Sequence, residues 1–531
     1  MNYFKNNNDE NSKKKISKLE NSPMRNFYRG KTILLTGCLG FLGQLFLEKL
    51  LRSDVKMVYV IIRPKKSTSP LNRLKSILKE PQFDKLRQYD PNYFDRIRII
   101  EGDITEKLMG LTDIELNDIY NNINIVIHAA ADVRMDAKLS SLIISNVKAT
   151  REILRIAEKI KKLEVFSYIS TAFSNSYLCN IKEKFYEPPM DPNKIIDLYE
   201  KSNENEFDNI NTLSVNFTRP WPNNYVFSKC LAEDLVRQYG KKFPVCVLRP
   251  SIVISTYKDP LPGWCYSIAG HIGVTVGVGI GLIRTICLGK HYVANVISAD
   301  LVINTTLAAI WNTHTEQMKL KQNTNLLIKK QENQLEIIEP EVFNICSCLD
   351  KPVTWIQLQN ASTECAYKIE SKTFFPVFFK PTINKALFFY YTLILHFLPA
   401  FIVEKIQPSS KYMMKQRLTQ RFLLIIRYFC TREFIFDNTN YKRLMDKMTP
   451  EDQSFYVSDI RNFDFDIFKV SYVKYVTKIM MATFKDNKMS NNHLRMFYIM
   501  LLIIFYGFHS VLFYFITNYY NIINYKYLLN M

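Results

Sequence analysis

Three glycines spaced three apart, set between an apolar strand and an amphipathic helix, constrain this chain of 531 residues more than any other feature. Thr36-Gly37-Cys38-Leu39-Gly40-Phe41-Leu42-Gly43 follows the run TILL and opens the helical stretch FLGQLFLEKLL. Glycine is scarce elsewhere, with 15 in the whole chain, so its clustering is informative. Gly37 permits a tight turn, Gly40 lets backbone N–H groups approach an anion, and Gly43 lets the helix lie close to the sheet. G-x-x-G-x-x-G is one residue longer than the G-x-G-x-x-G of many dinucleotide sites. Its placement between strand and helix makes Thr36, Gly37, Gly40, Phe41, Leu42 and Gly43 a pyrophosphate cradle.

From Lys31 to about Cys365, short β-rich runs alternate with helical stretches. TILLTG, MVYVII, RIRIIEGD, INIVIHAA, VFSYIST and VCVLRPS are nearly continuous in apolar character, as strands buried on both faces must be. The pattern predicts an α/β fold, a Rossmann-type doubly wound parallel sheet. The second strand ends at Arg63-Pro64-Lys65-Lys66, where an acid would grip the ribose of NAD. Cations there suit a 2′-phosphate, so Arg63 and Lys65 point to NADPH. Asp103, with Ile104 beside it, is placed to bond the adenine amino group. Ala129 and Ala130 end the fourth strand with small side chains, so a cofactor can lie against the backbone.

Tyr225 and Lys229, in NNYVFSKCLAE, stand four apart and project from one helical face. A phenol of pKa about 10 exchanges protons poorly at neutral pH, and a neighbouring ammonium is expected to lower it. Ser170 and Thr171 end the fifth strand, where a hydroxyl can bond a substrate carbonyl beside Tyr225. Thr171 is the preferred third member of the set and Ser170 the second choice.

Ten cysteines without a C-x-x-C pair, and seven histidines without H-E-x-x-H, suggest neither a disulfide scaffold nor a metal site. Lys plus Arg outnumber Asp plus Glu by 70 to 50, giving +20. No nucleic-acid-binding signature accompanies that charge, and the last forty residues favour a lipid membrane as the partner instead. Met496 to Ile516 carries no charge beyond titratable His509 and is long enough for a hydrocarbon core of ~30 Å. Lys478, Lys485, Lys488 and Arg495 precede it and only Lys526 follows, which places the large N-terminal part in the cytosol. The sequons at Asn216, Asn304 and Asn360 would then stay unglycosylated. Ala386 to Val403 is a second uncharged run that can span, lie in an interface or form a core. The expected organisation is a basic disordered tail at 1–28, a nucleotide-binding domain at 29–365, and a smaller helical domain at 366–490. A transmembrane helix at 496–516 and a tail at 517–531 follow. The polar segment 195–220 reads as a surface excursion.

TGCLGFLG, the Arg63-Pro64-Lys65 turn, GDI, HAAADV, IST and YVFSK together resemble the extended short-chain dehydrogenase/reductases. Within that family, NVKAT at 146–150, LRPSIV at 248–253, Pro262-Gly263-Trp264 and GVTVGVGIGLIRT make the chain similar to alcohol-forming fatty acyl-CoA reductases. The resemblance covers roughly residues 30–480. It implies reduction of a long-chain acyl-CoA to a primary alcohol and CoA through a bound aldehyde, with two molecules of NADPH. It also implies a C-terminal anchor in the endoplasmic reticulum or peroxisomal membrane. ISAD, ending at Asp300, departs from the family's proline-containing turn. Two other readings share the fold: a membrane-bound hydroxysteroid dehydrogenase or epimerase-like enzyme, and a non-catalytic NADP-binding membrane scaffold. Acyl chain length and oligomeric state leave no mark in these residues.

Overall fold

The structure, a computed structural model, describes residues 21–65, 67–202, 218–266, 270–328, 339–370, 379–406, 411–483, 503 and 505–519. Its centre is a parallel sheet of seven strands. These are β1 (Thr32–Thr36), β2 (Met57–Ile62), β3 (Ile97–Glu101), β4 (Ile125–His128), β5 (Val165–Ile169), β6 (Val245–Pro250) and β7 (Glu341–Ile345). The spatial order is β3-β2-β1-β4-β5-β6-β7, so the winding reverses between β1 and β4. Their register pairs Thr36 with His128, which opens a crevice beyond the carboxyl ends of these two strands. The first six strands fall on the six predicted runs. β7, EVFNI, was not predicted.

β1, β5 and β6 are buried along their whole length because helices cover both faces. Leu34, Val126, Phe166 and Val247 from the strands pack with Ile153, Leu231 and Leu235 from helices in one core. Four helices of this region matter below: α1 (Phe41–Arg52), α2 (Ala149–Glu158), α3 (Asn224–Tyr239) and α4 (Ala299–Ile328).

Residues 21–28, expected within the disordered tail, are folded. Ser22 caps a short helix, Pro23–Tyr28, and its hydroxyl donates to Asp452 Oδ1 at 2.5 Å. Met24 and Tyr28 are fully buried, and the Tyr28 hydroxyl donates to the Leu307 carbonyl at 2.7 Å. Two apolar anchors in a polar run outweigh its composition; residues 1–20 lie outside the described residues. The expected excursion at 195–220 likewise begins in a helix, Pro192–Lys201, that buries Ile195, Ile196 and Tyr199. Asp300, where the sequence departs from the family's turn, accepts the backbone N–H groups of Tyr257, Lys258 and Asp259 at 2.8, 2.8 and 3.0 Å.

Contacts divide the chain into two compact units. The first comprises Met1–Ser267, Val293–Val353 and Glu433–Tyr472, and holds the sheet. The second comprises Ile268–Tyr292, Thr354–Arg432 and Val473–Met531. It contains α5, which runs from Lys385–Tyr391 through a wider π turn at Thr392–Phe397 into Leu398–Ile406, and α6 (Tyr412–Cys430). Among the described residues, Lys385–Lys405 is the one helix long and apolar enough to cross a membrane. The expected span 496–516 falls partly outside the described residues; residues 505–519 form a helix, α7.

Candidate active site

The glycine turn is closed by contacts that a side chain would destroy. Gly37 has φ +76°, and a Cβ there would lie 2.8 Å from the Ala130 nitrogen. At Gly43 a Cβ would sit 1.9 Å from the Gly37 carbonyl oxygen, so α1 reaches the turn only because this residue is glycine. Gly40 is the N-cap of α1 and supplies no side-chain cap, which leaves the first N–H groups of a twelve-residue helix directed at the crevice. Those donors and the Cβ-free cradle fit a pyrophosphate. Phe41 and Leu42 are half-buried at the same mouth, with the Phe41 ring 5.4 Å from that of Trp264.

The Thr36 side chain does not face this crevice. It is fully buried, with Oγ1 2.8 Å from His128 Nδ1 and accepting the Ala130 N–H at 3.2 Å. As the last residue of β1, paired with His128 in register, it braces the turn from behind. His128 Nε2 lies 3.2 Å from Thr150 Oγ1 on α2, and burial pushes its pKa down to about 3, with the Lys229 charge adding to the effect. The imidazole is neutral and ties β1, β4 and α2 together. Ala129 and Ala130 are both half-buried, and their backbone lies against Gly37.

Beyond the end of β2, Arg63 and Lys65 are exposed. Arg63 Nη1 lies 3.5 Å from Asp103 Oδ2, while Asp103 Oδ1 accepts from the Thr105 amide and hydroxyl at 3.0 and 2.9 Å. Asp103 therefore already has partners on both oxygens, and Ile104 beside it is half-buried. Arg73, which the sequence reading missed, donates to the Arg63 carbonyl at 2.5 Å and adds a second guanidinium to the basic corner.

Tyr225 and Lys229 lie on the first turns of α3, whose N-cap Asn223 accepts the Val226 N–H at 3.0 Å. The Lys229 amine is buried. It donates to the Ile169 carbonyl at 2.8 Å and to the Tyr168 hydroxyl at 3.2 Å, and sits 4.7 Å from the centre of the Tyr168 ring. Burial brings its pKa down to about 7, against the opposing pull of the Glu233 carboxylate. Tyr225 departs from expectation: its phenol is held above its ordinary value, first by burial and then by the Asp132 carboxylate. The hydrogen bonds of Lys229 go to Tyr168 and Ile169, not to this phenol.

The two candidate hydroxyls at the end of β5 separate. Ser170 donates to Glu233, which is buried and held by Arg249 through Nε at 2.9 Å and Nη2 at 2.6 Å. That hydroxyl is turned into the protein. Thr171 Oγ1 accepts the Phe173 N–H at 3.3 Å, and the hydroxyl proton plays no part in that bond. Tyr168, Glu233 and Arg249 were not singled out from the sequence. Glu233 could have been, because it stands four residues beyond Lys229 and eight beyond Tyr225 on one helix face.

These features agree with what the chain resembles. Two family models described as male sterility protein match, an NAD-binding one over residues 35–306 and a second over residues 390–485. Fatty acyl-CoA reductase wat of Drosophila melanogaster is 32% identical over 462 residues, covering 85% of this chain and 84% of that protein. Human fatty acyl-CoA reductase 1 is 31% identical over 472 residues, covering 86% and 85%. A reductase domain of a Mycobacterium tuberculosis nonribosomal peptide synthetase shares the fold at TM-score 0.54 and 15% identity, covering 88% of this chain and 96% of that one. With a glycine cradle at the switch point of a parallel sheet and relatives that span most of its length, the chain belongs to the fatty acyl-CoA reductases, nicotinamide-dependent oxidoreductases.

Proposed function

We propose that this enzyme reduces long-chain acyl-CoA with NADPH to a primary alcohol and free CoA through a bound aldehyde. The observation that carries the reading is the buried Lys229 amine, tied to the carbonyl end of β5 one helical turn beyond Tyr225. The Lys229 amine therefore lies at the carboxyl end of the parallel sheet, the end that also bears the glycine cradle. NADPH, when bound, supplies hydride to the carbonyl carbon in each of two rounds. Thr171 and Tyr225 are the donors that would hold the carbonyl oxygen as negative charge develops there. In the first round the thioester C–S bond breaks and the CoA sulfur leaves, to be protonated as the thiol. In the second, Tyr225 delivers the proton that turns the alkoxide into alcohol. Lys229 supports the phenolate that remains. Arg63 and Lys65, with Arg73 behind them, are the groups that would meet a 2′-phosphate.

The chain is further proposed to be anchored by residues 496–516, with the catalytic part cytosolic, in the endoplasmic reticulum or peroxisomal membrane. The uncharged sequence of that segment and the cations preceding it support this topology. Product analysis with palmitoyl-CoA and NADPH tests the chemistry. Hexadecanol should form, and Tyr225→Phe and Lys229→Ala should each lower turnover by about a hundredfold or more. Turnover of a 3-ketosteroid without turnover of acyl-CoA, or full activity in Tyr225→Phe, would overturn the assignment.

A further inference from the structure

In the second unit one helix is apolar on its outer face as well as on its inner one. On α5 the side chains turned inward include Thr392 and His396, both buried, and the Arg284 backbone N–H donates to His396 Nε2 at 2.8 Å. The side chains turned outward are Leu387, Phe389, Leu393 and Phe401, each between 44% and 58% exposed. α5 buries Phe388, Leu395 and Ala400 as a packed helix does, but its outer face is apolar as well, where a helix facing water shows polar side chains. Four large apolar side chains on one contiguous face mark a surface that meets something other than water.

The neighbouring helix says what that is. α6 packs beside α5, with Glu404 accepting the Met413 N–H at 2.7 Å. Its exposed face interleaves Met414, Leu418 and Leu424 with Lys415, Arg417 and Arg421. No acidic residue occurs between Lys411 and Cys430. Cations without acids, set among apolar side chains, suit a layer in which long stems lie in hydrocarbon and charged heads meet phosphate.

α7 continues the surface: Tyr390 lies 6.1 Å from Phe508 and 5.7 Å from His509, ring to ring. Beyond that contact α7 exposes Val511, Leu512, Phe513, Tyr514, Phe515 and Ile516.

We infer that α5 and α6 form an in-plane docking face for an anionic lipid bilayer, with α5 sunk to the level of the upper acyl chains and the cations of α6 among the headgroups. This goes beyond the reductase reading and does not depend on its chemistry. α5 has the length and composition of a span, but its partner does not permit one. Centring α5 in the bilayer would carry Lys415, Arg417 and Arg421 toward the midplane, where unpaired cations are strongly disfavoured. Lying flat avoids that cost and still buries the four exposed side chains.

The test uses the full chain in phosphatidylcholine vesicles containing phosphatidylserine. Cys179, the exposed native thiol, is replaced by serine, and a polarity-sensitive fluorophore is placed at Leu393→Cys or, in a second variant, Phe401→Cys. Both positions are exposed, so an unchanged melting temperature is expected and verifies folding. Nitroxide attached high on the acyl chain should quench the label more than nitroxide at the chain end, and aqueous iodide should quench it little. Replacing Lys415, Arg417 and Arg421 with glutamine should lower the ratio of seated to lifted label by about fivefold for each cation removed, in phosphatidylserine vesicles only. Strongest quenching from the chain end would show a span and overturn the proposal. Unrestricted quenching by iodide would show a face left in water, and protection from iodide without vesicles would show a protein partner; either result also overturns it. None of these outcomes depends on whether acyl-CoA is reduced.

Discussion

Replacing Lys229 with methionine should stabilise the cofactor-free protein at neutral pH and lose that benefit in alkali. The amine is buried at the end of β5, and its pKa falls from 10.5 to about 7 because the charged form has been taken out of water. Below about pH 7 the lysine is protonated in both the folded and the unfolded chain, so folding bears the whole penalty of hiding the charge. Between 7 and 10.5 only the unfolded chain keeps the proton, and stability rises with pH; above 10.5 the penalty is gone. At about 1.4 kcal/mol per pH unit, that interval corresponds to a penalty on the order of 4–5 kcal/mol. Methionine keeps the length of the stem but leaves the Ile169 carbonyl without its donor, a loss of about 1–3 kcal/mol that does not vary with pH. The pH dependence therefore isolates the charge. Melting temperatures of wild type and Lys229→Met, taken every half unit from pH 6 to 10, should show the wild type gaining several degrees relative to the variant as the pH rises, whatever their order at neutrality. Parallel profiles would show that water reaches the amine and that the site is not dry.

Gly43→Ala should abolish measurable NADPH binding in a fluorescence titration and lower the melting temperature, since its Cβ would fall 1.9 Å from the Gly37 oxygen. Arg63→Ala should weaken NADPH binding by about tenfold while leaving NADH binding unchanged, as read by calorimetry. Equal losses for both would remove Arg63 from any role at the 2′-phosphate. Glu233→Gln should destabilise the protein by about 3–5 kcal/mol by leaving the Arg249 guanidinium buried and unpaired. Adding Arg249→Met should recover much of that loss in denaturant unfolding.

The sheet was legible because its strands are covered on both faces, which makes each a nearly unbroken apolar word. β7 escaped because Glu341 opens it and Asn344 interrupts it. Asn344 is nonetheless buried, with its Nδ2 donating to the Ile181 and Asp437 carbonyls at 3.2 and 2.7 Å. Those partners lie far away in sequence, so no local pattern announces the strand. Candidate site residues divide along the same line. The glycine spacing and the Tyr225–Lys229 interval are local geometry and can be read from one segment. That Thr36 would turn toward His128, or Ser170 toward Glu233, depends on residues up to 92 positions away. The Tyr225 pKa failed for a related reason: the interval shows that a lysine is near but says nothing of how dry the phenol is.

The Glu233–Arg249 pair explains more than its own stability. Tyr225, Lys229 and Glu233 occupy successive turns of α3, and the third is locked to β6 by two hydrogen bonds from Arg249. Rotating α3 by a single residue would swing the carboxylate about 100° away and strand two charges in a site with almost no access to water. The same rotation would pull the Lys229 amine off the Ile169 carbonyl. A buried ion pair gives little net stability against an apolar alternative, but it penalises every register except one. Here it holds the helix that carries the phenol and the amine in a fixed rotation against β5 and β6. By drawing the Ser170 proton to itself, it also leaves Thr171 as the hydroxyl proposed to meet a carbonyl. Under the proposed chemistry, a buried ion pair thus decides which of two neighbouring hydroxyls is available.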